Sequence, residues 1–405
     1  MQFKRVKLFQ TKKEFLSFVY IFAFILFYST LIRYEEYKNF TRFDSVIVDA
    51  EVLKSYTKTK KDKTYKILKL KTDRGVVFYT KVKNSVDAGF DKKLTLELYG
   101  GKISFYEYLT SFYAYSKVLK IKKLDTLKQK LNSFIASEHK DKDITSIYQA
   151  LFSAKTLPQH LQKTFSYLGI SHLFAISGFH LSVLSLFLFF LLKPTYGFFQ
   201  SRFFPYRNIN LDIFIVVGIS LLTYITFLDA PPSLIRSFGM LVVGFILYDR
   251  GFEVVSMQTL LLSVILLLSL DIKLLFSLGF WLSVAGVFYI FLFFMLFMHL
   301  GKMAKFFLLP IWVYLAMLPY SLAIFNNFSI YHPLSIILTS LFSLFYPLSI
   351  LLHLVGYGDI FDEQLKKLLC LDSGHIEVLF RMEWLYVYVV LSIFLAVVLS
   401  KFKDK

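Results

Sequence analysis

The chain is poor in the features that mark a soluble enzyme. It has a single cysteine, Cys370, in 405 residues. One cysteine excludes an intrachain disulfide and a secreted disulfide scaffold, and leaves any zinc site at most one thiolate. Charged residues make up only 18% of the chain and apolar residues 56%, against about 25% and about 45–50% in soluble domains. No Gly-x-x-x-x-Gly-Lys-Ser/Thr phosphate loop is present, and neither His-Glu-x-x-His nor His-x-His-x-Asp-His occurs. What is there is apolar and basic. Mean hydropathy is +0.57, and 46 Lys and Arg against 28 Asp and Glu leave a net charge of +18. A basic membrane protein fits these numbers.

Nine apolar runs approach the roughly 20 residues that cross a bilayer as a helix. They are Phe15–Ile32, Leu173–Leu192, Leu211–Leu228, Ser233–Tyr248, Val254–Leu270, Phe276–Met298, Phe306–Phe325, Pro333–Val355 and Trp384–Ser400. Arg236 is the one Lys or Arg among them. The first run follows Lys4, Arg5, Lys7, Lys12 and Lys13 and lacks a small-residue cleavage site. It reads as a signal anchor with its N-terminus in the cytoplasm, so that residues 33–150 are exported. The basic tail (Lys401, Lys403, Lys405) belongs inside by the same rule. Nine crossings would put it outside, so Pro333–Val355, interrupted by Pro347, is the candidate for a re-entrant hairpin.

From residue 44 the pattern changes to period two. Asp44–Tyr56, Thr64–Thr72, Val76–Lys83, Lys93–Tyr99 and Lys102–Tyr108 read as five short strands with turns at Gly75, Gly89 and Gly100-Gly101. Five such strands suit a small exported β-barrel of the OB kind. Its loops are basic, notably Lys58, Lys60, Lys61 and Lys63. One reading is attraction of a phosphate backbone, with Tyr65, Tyr79, Tyr56, Phe78 or Tyr99 stacking on bases. The other is that lysine keeps a small domain soluble and guards its edges. The domain boundaries expected are 1–32 for the basic tip and anchor, 33–120 for the barrel, and 121–405 for a helical membrane domain.

Three segments hold polar residues where a membrane run begins. The first is His172-Leu-Phe-Ala-Ile-Ser177-Gly178-Phe-His180, with Ser182 four residues beyond Gly178. A membrane histidine faces a cavity or a partner helix, and the Gly178/Ser182 spacing suits close helix approach. The alternative is that His172 lies at the interface and Ser177 bonds its own backbone. A nucleophile elbow requires Gly-x-Ser-x-Gly, and the first glycine is missing here. The second segment is Asp229-Ala-Pro-Pro-Ser-Leu-Ile-Arg236-Ser-Phe-Gly-Met240. Arg236 there must snorkel, pair with a carboxylate such as Asp229, or line a polar path, where a guanidinium suits phosphate. The third is Gly279-Phe-Trp281-Leu-Ser283-Val-Ala-Gly286, whose small residues form a stripe suited to helix contact.

In this order the three segments resemble the membrane domain of the ComEC family of competence DNA-uptake channels. The family patterns are similar to His-Leu-x-Ala-Ile-Ser-Gly-x-His, Pro-x-x-x-Arg-x-x-x-Met and Gly-Phe-Gln-Leu-Ser. The resemblance covers about residues 145–355. It implies a polytopic α-helical protein of the cell inner membrane that passes one DNA strand into the cytoplasm during natural transformation, with no catalytic residue, cofactor or metal. The DNA path would then run past His172, Ser177, His180, Asp229, Arg236 and Ser283, with Gly178, Ser182, Gly279 and Gly286 at helix contacts. Trp281 stands where the family has glutamine. Nothing matches the metallo-β-lactamase-like domain that many members carry. The implied partners are single-stranded DNA, the lipid bilayer, a periplasmic DNA receptor, a separate nuclease and a cytosolic DNA-pulling protein. Three rivals stay open: a small-molecule or lipid transporter, an intramembrane hydrolase using Ser177 and His180, and a structural assembly subunit.

Overall fold

A computed structural model describes residues 8–9, 11–60, 63–73, 75–82, 92–99, 103–123, 126–174, 176–371, 375–378 and 380–403. It is mostly helical and divides into two compact units. One comprises Thr11–Phe134 and Ile265–Leu278; the other comprises Met1–Gln10, Ile135–Val264 and Gly279–Lys405.

The first unit opens on helix α1, Lys12–Phe40. Thr11 caps it, accepting from the Glu14 N–H at 3.2 Å while Glu14 returns a bond to the Thr11 N–H at 3.4 Å. None of its residues is buried, as an apolar helix facing lipid requires. A mixed sheet follows: β1 Ser45–Lys60, β2 Lys63–Thr72, β3 Val77–Val82, β4 Lys92–Tyr99, β5 Phe112–Tyr113 and β6 Tyr115–Lys123. Their order is β5-β3-β2-β1-β4-β6. The inward positions are Leu68, Leu70, Phe78, Leu94, Leu96 and Leu98, all essentially without exposure. Alternate residues therefore face out, as the period-two pattern requires.

The structure corrects the barrel expectation twice. Phe105–Leu109 is a helix, α2, and not the fifth strand. Ser104 and Glu107 form a capping box across its start, which overrides the strand propensity of the aromatics; the Ser104 N–H and hydroxyl hold the Glu107 carboxyl below its ordinary range. The fifth-strand position is taken by residues 112–123, and the ladders form a mixed sheet, not a closed barrel. β3 and β5 share only Phe78↔Phe112 and Tyr79↔Tyr113, too short a ladder to complete a wall. The segment 265–278 seats on the same unit: Lys273 Nζ donates to the Gly75 carbonyl at 3.4 Å, and Phe276 meets Tyr106 edge-on at 5.2 Å.

The second unit is helical. After α3 (Leu127–Glu138), whose last residues belong to it, come α4 Lys142–Ser153, α5 Gln159–Tyr167, α6 Ser171–Phe174, α7 Gly178–Phe203, α8 Ile209–Phe227, α9 Pro232–Asp249, α10 Met257–Leu270 (its residues from 265 on belong to the first unit), α11 Leu278–Leu296, α12 Lys302–Phe325, α13 Leu334–Leu354, α14 Asp362–Leu369 and α15 Met382–Lys403. A short hairpin pairs β7 (Asn327–Ser329) with β8 (His375–Glu377). Ile213, Val217, Leu221 and Ile225 recur every four residues along α8 and bury against Leu181 of α7 and Leu234 of α9. A second cluster joins α11, α12 and α15 through Tyr289, Ala316 and Ala396. Its polar groups satisfy one another: Trp312 Nε1–H donates to the Tyr289 carbonyl at 2.9 Å, and the Tyr289 and Ser392 hydroxyls meet at 3.0 Å.

Among the described residues seven helices are long and apolar enough to cross a membrane: α1, α7, α8, α11, α12, α13 and α15. The chain is a multi-pass membrane protein. Of the nine runs, that of α10 falls short: it has 14 residues and spans about 21 Å against a hydrocarbon core of roughly 30 Å. α9, with 18 residues, lies within the roughly 17–25 that cross. Pro333–Val355 is not a broken hairpin. α13 is one continuous helix with Pro347 inside it, a position tolerated where neighbouring helices satisfy the freed backbone.

Candidate functional site

The three polar segments converge. The chain enters α7 through Ser177, whose extended backbone (φ −133°, ψ 170°) precedes the helix. Across the gap to α9, the Ser233 hydroxyl donates to the Ile176 carbonyl at 3.1 Å. One turn further, α7 and α9 touch at Gly178: a Cβ built there would collide with the Ser237 Oγ and lie 2.8 Å from its Cβ. From α9, the Arg236 guanidinium sits over the Phe280 ring of α11 at 5.7 Å. Segments one, two and three are thus joined in sequence through Ile176–Ser233, Gly178–Ser237 and Arg236–Phe280.

His180 is 1% exposed. Its Nε2 lies 2.9 Å from the Leu173 carbonyl, which can only accept, so Nε2 carries the proton. Nδ1 is then an acceptor. It takes the Ser177 N–H at 3.2 Å and the Ser177 hydroxyl at 3.0 Å. The imidazole so occupies the place that a glutamate takes in a capping box. Behind it stand the rings of Phe342 and Tyr346 of α13, edge-on at 5.0 and 4.9 Å, and the Tyr346 hydroxyl meets that of Tyr224 on α8 at 3.1 Å. A serine–histidine pair at 3.0 Å is also what a hydrolase uses. Here, however, Nδ1 is shared with a backbone N–H, and Nε2 faces a carbonyl and not a carboxylate. The geometry is that of a helix cap.

The remaining sequence-predicted residues fall as follows. His172 on α6 reaches α13, Nε2 to Thr339 Oγ1 at 3.2 Å. Asp229 sits exposed in a left-handed turn (φ +62°) with Ala230 (φ +51°), which reverses the chain between α8 and α9. Arg236 is 5% exposed, so it does not snorkel to the surface as the short distance to the boundary suggests. Ser182 bonds its own helix, donating to the Gly178 carbonyl at 3.0 Å. Ser283 is half-buried on α11, on which Gly279 also lies. A Cβ at Gly286 would meet nothing within 4 Å among the described residues. Gly286 therefore does not mark a close helix contact. Trp281, at the family's glutamine position, is 43% exposed while Phe280 beside it is fully buried, so the indole does not enter the cluster. Among the described residues no group of three His, Cys, Asp or Glu side chains is arranged to hold a metal ion.

On the sheet, the register Lys60↔Lys63 and Lys58↔Tyr65 places three of the predicted lysines along the β1–β2 hairpin; Lys61 lies outside the described residues. Tyr65 and Tyr79 face outward, each under a lysine: Lys81 Nζ is 4.3 Å from the Tyr65 centroid and Lys69 Nζ 5.5 Å from that of Tyr79. Phe78 is fully buried and stacked on Phe112, so it cannot stack on a base. Sequence reading missed Tyr113 and Tyr115. They are exposed, edge-on at 5.5 Å, and Tyr113 stands beside Tyr79 in register. The alternation Tyr113/Tyr115 around the buried Ala114 was the available signal.

A multi-pass helical membrane protein with polar residues gathered from three separated segments is the class these observations define. The sequence pattern of the Competence protein family matches residues 152–400, more than half of the chain. The chain belongs to the competence protein family and is consistent with a ComEC-type protein. Comparison with curated proteins and with solved structures gives no match. The sheet lies outside the matched residues.

Proposed function

We propose that this protein passes a single strand of DNA across the inner membrane during natural transformation, as a channel and not as an enzyme. A role in DNA uptake follows from family membership. The observation that carries the finer reading is Arg236, a buried guanidinium at the meeting point of the three polar segments. A charge among apolar helices is costly and is retained where it serves a path. A guanidinium offers a planar fork that suits phosphate oxygens. No nucleotide-binding loop is visible in the sequence, so the pulling force belongs to a cytosolic partner. A periplasmic receptor and a separate nuclease complete the scheme. In it the N-terminus is cytoplasmic and residues 33–150 are extracytoplasmic.

The sheet is read as an OB-like strand collector. Support comes from its order: β1 between β2 and β4, β3 parallel to β5, and the 112–123 stretch lying along both β3 and β4. Tyr65, Tyr79, Tyr113 and Tyr115, interleaved with Lys69 and Lys81, supply π faces and cations on one outer face. Base stacking on an aromatic contributes about 1–3 kcal/mol per base. Tyr79→Ala in the full-length protein in nanodiscs is therefore expected to weaken binding of a fluorescent oligothymidine at least about fivefold. Lys69→Ala is expected to flatten the salt dependence of that binding. Unchanged affinity and salt slope in both would remove this face from the path.

The Ser177–His180 contact gives the hydrolase reading its one foothold, and two substitutions separate it from the cap. Ser177→Asn keeps a capping acceptor, and Ser177→Ala loses it at about 1 kcal/mol. The cap predicts that DNA uptake survives Ser177→Asn better than Ser177→Cys; a nucleophile predicts the reverse order.

Deleting the gene in the native host and feeding labelled double-stranded DNA tests the whole proposal. Label should persist outside the inner membrane and vanish from the nuclease-protected cytoplasmic pool. An unchanged cytoplasmic pool would refute transport by this chain.

A further inference from the structure

Away from the converging segments, the end of α3, the last turn of α13 and the start of α14 enclose a second polar cluster within the helical unit. His139 Nε2 and His353 Nε2 face each other at 3.0 Å. On the far side of each ring is a distinct partner: His353 Nδ1 lies 2.7 Å from the Ser349 carbonyl, and His139 Nδ1 lies 2.9 and 3.0 Å from the two Asp362 carboxyl oxygens. Both histidines are buried, at 7% and 4% exposure.

Donor directions now follow from the inventory of each group. The Ser349 carbonyl only accepts, so His353 Nδ1 carries a proton. A neutral His353 then presents a lone pair at Nε2 and must receive the His139 Nε2–H. With Nε2 protonated, His139 faces Asp362 through Nδ1. That short contact is favourable only if one further proton sits between Nδ1 and the carboxyl. Remove it and either Nδ1 meets a carboxylate lone pair to lone pair, or the ring changes tautomer and the two Nε2 lone pairs collide. Add a second proton on His353 and two N–H groups oppose each other. The observed geometry satisfies all four imidazole nitrogens with one proton beyond two neutral imidazoles and a carboxylate.

We propose that Asp362, His139 and His353 form a one-proton clasp, a binding site for a single proton that fastens the end of α3 to α13 and α14. The surroundings favour a retained proton. From α4, Tyr148 lies flat on His139, centroids 4.5 Å apart and planes 6° apart, a π face for a cation. The other nearby groups are acidic: Glu138 Oε2 at 3.8 Å from His353 Nε2, and Asp359 of the 358–361 turn, whose charge acts on Glu138 and Tyr148. Lys366 is drawn toward Asp141 at 3.6 Å, and Lys367 toward Glu363 at 3.5 Å. Burial pushes the Glu138 carboxyl up. Gly358 makes the enclosure possible, since a Cβ there would collide with Glu138 Oε2 and lie 2.9 Å from the His353 ring. α13 carries the link onward: His353 anchors its end, and Phe342 and Tyr346 on the same helix back His180.

The test uses the full-length protein in detergent and reads thermal unfolding, a measurement independent of DNA transport. The wild type is expected to lose roughly 2–4 °C in melting temperature on going from mildly acidic to alkaline buffer, as the clasp proton leaves. Asp362→Asn supplies a permanent N–H toward His139 Nδ1, so it should match the wild type at the acidic end and show no fall. Asp362→Ala should be low throughout and unfold roughly tenfold faster. Equal instability of Asp362→Asn and Asp362→Ala, or a wild-type pH slope in Asp362→Asn, overturns the clasp. So does one zinc per chain co-purifying with the wild type. Nitrogen-15 histidine spectra of the wild type need no variant: His139 protonated at Nε2 and His353 at Nδ1 is the expected pattern, and a bare His139 Nε2 refutes it.

Discussion

Replacing Arg236 by Ala is expected to cut DNA reaching the cytoplasm by about a hundredfold, the factor that roughly 3 kcal/mol of lost charge-assisted bonding represents. The amount of protein in the membrane should not change. Two opposing effects decide that second outcome. The guanidinium rests against Phe280 at 5.7 Å, and this contact stabilises. Its charge is also held at 5% exposure, and taking a charge out of water costs several kcal/mol before any partner repays it. Truncation removes both, and the two offset each other, while the path loses a buried cation. Arg236→Lys separates charge from shape. A lysine keeps the charge but has neither the fork nor the stacking plane, so uptake should fall to an intermediate level. Protease-protected label in the cytoplasm, read beside an immunoblot of the membrane fraction, measures both quantities. Wild-type uptake in Arg236→Ala would take this residue out of the mechanism.

How much of this was legible in the sequence depends on how local each signal is. The strands around Leu68, Leu70, Phe78 and Leu94 show as alternation, because one face is buried and one is wet. The helix at Phe105 was misread since its aromatics suit a strand; the decisive signal, Ser104 and Glu107 three apart, is smaller than the pattern it overrides. Pro347 read as a break because proline breaks soluble helices, whereas neighbouring helices let α13 continue through it. At the site, the motif residues could be named, but their joining could not. Ile176 and Ser233 are 57 residues apart in the chain, and no period or composition reports such a meeting. The clasp was wholly invisible: His139 is separated from His353 by 214 residues and from Asp362 by 223, and each alone is an unremarkable polar residue near a helix end. The half-buried Gly286 shows the converse, a small-residue stripe whose spacing suggested a contact that the packing does not make.

Gly178→Ala tests whether the first two segments work as one. At the first turn of a helix alanine is favoured over glycine by up to about 1 kcal/mol, so a position in open space would gain stability. Gly178 is not in open space. The new methyl would overlap Ser237 Oγ and lie 2.8 Å from Ser237 Cβ. The hydroxyl cannot turn away freely, because it donates to the Ser233 carbonyl at 3.0 Å, and the Cβ is fixed by the α9 backbone. Overpacking of this kind costs about 1–3 kcal/mol, enough to outweigh the propensity gain. A lower melting temperature and reduced DNA uptake are both expected. Ser237→Gly removes the two colliding atoms and by itself costs only the helix penalty of glycine, about 1 kcal/mol. Combined with Gly178→Ala it should restore most of the loss, a positive coupling of about 1–2 kcal/mol in a double-mutant cycle. Additive losses would mean that α7 and α9 do not touch there. Coupling in stability without coupling in uptake would make the contact structural alone. Coupling in both is the outcome that ties Ser177, Gly178 and His180 to Arg236, since the same helix pair then sets the approach of the capped end of α7 and the position of the guanidinium one turn along α9.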